Sequence, residues 1–415
     1  MKAKSRLLVF VGILFFCQPG VWYLCRFTDE NDPMYKKLVT LALSLSYVTT
    51  VQAQDTLSIR KDTLVHTDTI RTKADTLTLI GVGDIMMGTD FPEAAFLPPN
   101  DGATIFPDSI KTILRNADVT FGNLEGTLLD KSRGGKVKTC SNPAICYAFR
   151  TPTRYGKYLV DAGFDMMSLA NNHSGDFGPV GRQSSMQTLD SNGIVYAGLE
   201  IAPTTIFVKD STRYGLIAFA PNEGTLDIRK IKEAQDRVRK LADSVDIVIV
   251  SFHGGAEGRG AQRVTRKTEL FVGENRGNPY EFAHKMVEAG ADVVFGHGPH
   301  VTRSVDLYKD RFIIYSLGNF CTYARFSLTG EGGVAPIVKV FTNRQGEFLK
   351  AEVTPIKQVG EGGCELDADL KAIKTLQRLL AADFPEVPLT ITSDGLIVRK
   401  PLIETVPPQK QEPKK

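Results

Sequence analysis

Between residues 77 and 358, short apolar runs alternate with stretches in which apolar residues return every three or four positions. The runs Leu77–Val82, Val119–Gly122, Met166–Ala170, Leu216–Ala220, Ile247–Phe252, Val293–Gly296 and Phe312–Leu317 predict strands. The intervening Ser109–Arg115, Arg154–Ala162, Gly178–Asn192, Ile228–Ser244 and Tyr280–Ala289 predict helices. Strand followed by helix, several times over, argues an α/β domain with a largely buried sheet. Val334–Phe341 and Leu349–Gln358 predict a late hairpin turning through Asn343-Arg344-Gln345-Gly346. Asp367–Ala382 predicts a helix, and Leu389–Lys400 a strand pair turning at Asp394-Gly395. Residues 359–405 thus read as a small α+β extension of a main domain at 77–358, and the Pro, Gln and Lys of 406–415 as a disordered tail.

The N-terminal pattern is different. Leu7–Phe16 follows Lys2, Lys4 and Arg6, and a second apolar run, Leu38–Thr50, follows Met34-Tyr35-Lys36-Lys37 and ends in Val51-Gln52-Ala53. A basic start, a short apolar stretch and a small-x-small exit make a secretory signal. A membrane span needs about 20 apolar residues, more than the second run offers. The reading is a start at Met34, a signal peptide over 34–53, and residues 1–33 as a mis-called start; the alternative is that Leu7–Cys25 is a membrane anchor. Either version exports the body to the periplasm or cell envelope, free or tethered. Residues 54–76 repeat Asp-Thr-Leu or Asp-Thr-Ile at Asp55, Asp62, Asp68 and Asp75, which reads as an exposed linker, with a β-ribbon as the alternative.

Composition adds mainly an exclusion. The 50 Lys+Arg are scattered and nearly matched by 47 Asp+Glu, so the net charge of +3 gives no basic face for nucleic acid. Of six cysteines, Cys17 and Cys25 lie in the leader, and Cys321 and Cys364 have no partner evident in the sequence. Cys140 and Cys146 flank a Ser141-Asn142-Pro143 turn and predict a disulfide in an oxidising compartment. The surrounding loop carries Lys131, Arg133, Lys136, Lys138 and Arg150, either a solvated charged loop or a positive rim that draws in an acidic substrate.

The candidate chemistry sits where strands end. Five predicted strands run into Gly83-Asp84, Asn123-Leu124-Glu125, Asn171-Asn172-His173, His253-Gly254 and His297-Gly298-Pro299-His300. Ligands of α/β sheets bind at the carboxyl ends of strands, so these groups can converge. A lone Asp after a strand is most often a turn former, and a lone His is as often structural as a ligand. Four of the six histidines at strand exits form a joint signal that the linker His66 and mid-helix His284 do not share. Carboxylates with imidazoles and carboxamides suit Mn, Fe, Zn, Co or Ni better than Ca or Mg. One or two such ions could make hydroxide available near neutral pH.

The ordered set Gly83-Asp84, Gly122-Asn123-Leu124-Glu125, Asn171-Asn172-His173, His253-Gly254, Gly296-His297-Gly298-Pro299-His300 and Ser316-Leu317-Gly318-Asn319-Phe320 resembles the CapA-type capsule-synthesis family over residues 77–345. That family falls in the calcineurin-like metallophosphatase group, which implies a four-layer α-β-β-α sandwich. The resemblance implies Asp84 and Glu125 as carboxylate ligands, Asn172 and His253 on a second ion, His297 and His300 closing the site, and His173 as general acid. Asn123, Asn171, Glu257, Ser316 and Asn319 would brace the ligands or touch substrate. Two departures thin the first metal site: Ile85-Met86 follows Asp84 where Asp-x-His is usual, and Glu125 stands where Asp is usual. His297 also stands further from His300 than the usual His-x-His spacing. The implied activity is an exported metal-dependent hydrolysis of a phosphoester, or an amide, in making or exporting an anionic polymer such as poly-γ-glutamate. Its implied partners are that polymer and capsule-assembly membrane proteins. A non-catalytic polymer-binding scaffold on the same fold is the alternative.

Overall fold

The computed structural model describes residues 75–139 and 147–400, together with the backbone of two short paired strands, Ile13–Phe16 and Trp22–Cys25. The signal peptide, most of the linker, the tail and the Cys140–Cys146 disulfide expected above lie outside the described residues. Among the described residues no helix is long and apolar enough to cross a membrane.

Sixteen strands and six helices organise the main body, numbered here in chain order. They begin with β1 (Thr76–Met86), α1 (Asp108–Leu114), β2 (Val119–Leu124), α2 (Gly156–Ala162), β3 (Met166–Ser168), α3 (Gly178–Ser191) and β4 (Val195–Ala197). Next come β5 (Thr204–Lys209), β6 (Thr212–Phe219), α4 (Ile231–Ala242), β7 (Ile247–His253), α5 (Pro279–Glu288) and β8 (Val293–His297). The chain continues through β9 (Val305–Tyr308), β10 (Arg311–Ile314), β11 (Asn319–Thr322), β12 (Val334–Asn343) and β13 (Phe348–Gln358). It finishes with β14 (Cys364–Leu366), α6 (Lys371–Asp383), β15 (Leu389–Ile391) and β16 (Leu396–Arg399).

Two sheets form. The larger runs β15-β16-β13-β12-β1-β2-β3-β4, with β11 added beside β1 and β14 beside β13; the smaller runs β9-β10-β8-β7-β6-β5. Their central strands are parallel: β1 with β2, β2 with β3, β6 with β7 and β7 with β8. The sheets face each other, which is legible in β1 itself: alternate residues turn to opposite faces. Leu77 and Leu79 enter the core shared with Phe295 and Ile314 of the smaller sheet, while Ile80 and Val82 enter a second core under Ile110, Leu159 and Leu189 of α1, α2 and α3. Phe121 and Phe295 stack across the inter-sheet space with ring centroids 5.5 Å apart. Gly81 is required there, since a Cβ would sit 2.4 Å from the Phe295 ring. On the far side α4 buries Ala234, Val238 and Leu241, one face of a helix at i, i+4 and i+7, against the smaller sheet. The result is the four-layer α-β-β-α sandwich that the resemblance implies.

The expected elements are present with shifted ends. β1 and β2 run on to Met86 and Leu124, so Asp84 and Asn123 lie within strands. The predicted strand at Phe312–Leu317 stops at Ile314. Five further strands, β4, β5, β9, β11 and β14, had no apolar run long enough to announce them. The C-terminal α+β piece adds β15 and β16 to the edge of the larger sheet, while Ile373, Leu376 and Leu380 of α6 join the shared core.

Candidate metal centre

The carboxyl ends of the central strands of both sheets meet at one place. The larger sheet delivers Asp84, Asn123, Glu125 and Asn171, all fully buried, and the smaller delivers His253 and His297. Gly83 lets the strands close on one another: Asp84 N donates to Gly318 O at 2.9 Å, and a Cβ on Gly83 would meet that oxygen at 1.9 Å. His300 follows β8 in a left-handed backbone conformation, φ +57°, that a non-glycine residue holds only when its surroundings demand it.

The tight core of the site is Glu125, His253 and His300, whose ligand atoms all lie within 4.8 Å of one another. A relay of side chains sets them. Asn171 Nδ2 donates to Asn123 Oδ1 at 3.1 Å, and Asn123 Nδ2 to Asp84 Oδ1 at 2.8 Å. Asp84 Oδ2 lies 3.0 Å from His300 Nδ1, and Asn319 Oδ1 lies 3.1 Å from the same nitrogen. His300 is thereby turned so that Nε2 faces Glu125 Oε1 at 3.5 Å. A carboxylate holding one imidazole nitrogen while the other faces inward is the usual outer support of a histidine ligand.

The donor set fits a cation. Both oxygens of Glu125, Oδ1 of Asn172 and Nε2 of His253 are buried without a hydrogen-bond partner. Buried, unpartnered atoms of mixed oxygen and nitrogen chemistry, three of them in the tight group, are costly unless something positive joins them. Burial pushes the Glu125 carboxyl well above its usual range, and the nearby Asp84 charge adds to this. Burial would raise Asp84 too, but the His300 hydrogen bond and charge outweigh it and hold Asp84 well below the usual carboxylate range. Burial also opposes protonation of His300, yet Glu125 and Asp84 prevail and push it up to about 10. The His300 imidazolium therefore supplies positive charge beside Asp84 and Glu125. His253 is held neutral by burial, with a free lone pair for a metal.

Not every expected residue lies at this centre. His297 is fully buried, with Nε2 3.0 Å from Val82 O and Nδ1 3.3 Å from Ser251 Oγ. Nε2 thus braces one sheet against the other, Nδ1 is tied to the neighbouring strand of its own sheet, and His297 lies outside the Glu125–His253–His300 group. Asp84 falls outside the tight group and orients His300. Met86 is buried in place of the usual imidazole. Ser316 Oγ accepts from Gly318 N at 3.2 Å and so acts on the turn that grips Asp84, away from the cavity. Glu257 lines the cavity, 3.0 Å from Arg276.

His173 stands beside the group, with Nε2 3.9 Å from Glu125 Oε1. Its Nδ1 lies 2.8 Å from Asp176 Oδ2, and Phe149 stacks on the ring at 4.2 Å. Burial lowers its pKa below the ordinary imidazole value. Asp176 also accepts from Phe149 N at 2.7 Å and pairs with Lys138 at 2.5 Å. Sequence reasoning missed Asp176, although its position three residues after His173, across Ser174-Gly175, was a usable sign of a local pair.

Asn172, His173 and His300 open onto a cavity of about 840 Å³ whose wall also carries Lys138, Arg259, Arg276 and Arg325. Of the basic residues expected at a rim, only Lys138 lines it. Arg150 instead pairs with Asp90 at 2.5 Å and lies over the Phe91 and Phe177 rings. Arg133 is bound to Gln187 and Ser184 of α3. Arg276, Arg259 and Arg325 come from loops whose sequence gave no sign of the site.

The family model described as "Bacterial capsule synthesis protein PGA_cap" matches residues 78–324. Capsule biosynthesis protein CapA of Bacillus anthracis is 27% identical over 317 residues, covering 71% of this chain and 69% of its own length. PGA biosynthesis protein CapA of Bacillus subtilis (strain 168) is 27% identical over 334 residues, covering 74% and 79%. Among solved structures, a putative 5'-nucleotidase of Staphylococcus aureus aligns over 73% of this chain and 58% of its own, at 14% identity and a TM-score of 0.38. The chain belongs to the bacterial capsule synthesis protein family, PGA_cap.

Proposed function

We propose that the chain is an exported, metal-dependent hydrolase that acts on a phosphoester or amide bond in making an anionic envelope polymer of the poly-γ-glutamate type. The observation that carries this reading is the cluster of buried, unpartnered donors on Glu125, Asn172 and His253, beside His300 and next to an open cavity. Those four residues would hold a single divalent transition ion (Mn, Fe, Zn, Co or Ni). When bound, such an ion supplies Lewis-acid polarisation and acidifies a water. The protein's own residues do the rest. Asp84 and Asn123 hold His300 in register. His173, oriented through Asp176, faces the centre with Nε2, which takes up a proton there and then passes it to the leaving group. The cationic wall of Lys138, Arg259, Arg276 and Arg325 favours an anionic substrate. The names of the Bacillus relatives, a capsule biosynthesis protein and a PGA biosynthesis protein, support the link to a capsule polymer; a place at the cell envelope beside capsule-assembly membrane proteins belongs to the same proposal.

The test is elemental analysis of the purified chain, with turnover of a generic phosphodiester and monoester in added Mn. His253→Ala and His300→Ala should lose both metal and turnover. Metal bound by the wild type without turnover on ester, anhydride or amide substrates would overturn the hydrolase and leave the polymer-binding scaffold, which Met86 in the place of an imidazole favours.

A further inference from the structure

Cys321 in β11 and Cys364 in β14 are both buried thiols. The strands that carry them meet beyond β11, where Tyr323 pairs antiparallel with Gly362. Gly363 N donates to Thr322 O at 3.1 Å and Ala324 N to Glu361 O at 2.6 Å, which makes Tyr323 and Gly362 a non-hydrogen-bonded pair. Cys321 and Cys364 stand two residues from this bridge on its same side, next to Thr322, whose N is bound to Gln358 Oε1 at 2.7 Å. The side chains also share a face: Cys321 Sγ lies 3.4 Å and Cys364 Sγ 3.8 Å from the same oxygen, Ile105 O.

We propose that Cys321 and Cys364 are joined by a cross-strand disulfide when the chain folds in an oxidising compartment. The inference is independent of the hydrolase reading. The oxidant is a second disulfide, on a small molecule or an oxidoreductase. One cysteine thiolate attacks it to form a mixed disulfide and release one thiol; the other cysteine displaces the second thiol, closing the bond. Two protons leave the cysteines, and the oxidant's S–S bond ends as two thiols. Burial, with Cys321 alongside, pushes the Cys364 thiol well above its ordinary pKa, so attack is slow once the strands are packed. The bond therefore forms as β11 and β14 come together. It ties the strand that begins with Asn319, a neighbour of His300, to the C-terminal extension.

The full chain is refolded from the reduced, denatured state in a mixture of reduced and oxidised glutathione. Free thiols are then trapped with N-ethylmaleimide in denaturant, and peptides are mapped without reduction. The expected result is one linked peptide pair joining Cys321 to Cys364, with neither position carrying maleimide. Maleimide on both, or a link from either to Cys17, Cys25, Cys140 or Cys146, would overturn the proposal. As a second readout, reductant should lower the urea midpoint of the wild type by about 1 M, while C321S/C364S should show no such drop. Equal responses in the two proteins would also refute it.

Discussion

Glu125→Gln should change stability in opposite directions with and without metal. Both oxygens of Glu125 are buried and unpartnered, and the nearest opposite charge, on His300, lies 3.5 Å away outside hydrogen-bonding geometry. Leaving a buried group unsatisfied costs about 1–3 kcal/mol. With chelator at pH 8 the unfolded Glu125 is ionised, and folding must either bury that charge or take up a proton; Glu125→Gln removes this cost and should stabilise by about 1–2 kcal/mol. At roughly 2.1 cal/mol/K per residue over about 320 described residues, each kcal/mol is about 1.5 °C, so the gain is about 2–3 °C. With Mn at about 100 times its dissociation constant, the wild type should gain about 2.7 kcal/mol, or about 4 °C, and the variant nothing. Differential scanning calorimetry in the two conditions reads both numbers, and the order of the two proteins should invert between them. A variant less stable than wild type in chelator, or one that keeps the metal response, would refute Glu125 as a carboxylate waiting for a cation.

Two further outcomes follow from other groups. Asp176→Asn keeps an acceptor for Phe149 N but loses the charge that orients His173, so kcat should fall by about 10²-fold at unchanged metal content and KM; an unchanged kcat would remove His173 from the chemistry. Asp292, buried and bound to Val248 N and Arg311, has its pKa raised by burial to about 6. A raised carboxyl pKa means the folded state binds the proton more tightly, so this contribution is full below about pH 4 and is lost as pH rises through 6, at most about 3 kcal/mol. Asp292→Asn should flatten the urea-stability profile between pH 4 and 7, and parallel profiles would show the group to be silent.

The central strands were legible because each is buried on both faces and so reads as an unbroken apolar run, as Ile247–Phe252 does. β5 was not, since its Thr204–Lys209 residues alternate between exposed and half-buried at a sheet edge. The site was legible where a candidate ligand closely follows such a run, as with Glu125, Asn172 and His253. It failed for His297, because residue type and position cannot reveal that Val82 O and Ser251 Oγ already occupy its nitrogens. It failed too for Arg276, Arg259 and Arg325, which reach the cavity from loops where local pattern carries no information about tertiary placement.

The centre draws on both sheets, with Glu125 and Asn172 from one and His253 and His300 from the other. No fragment containing a single sheet owns a complete ligand set, and the chain between Glu125 and His300 must be in place before the donors meet. A metal held by these residues could not seed folding, because its binding energy becomes available only once both sheets are assembled. By the partition of stability between the two rates, metal should leave the folding rate unchanged and appear almost entirely as slower unfolding. A bound ion would then act as a kinetic latch on the sandwich, prolonging its folded lifetime.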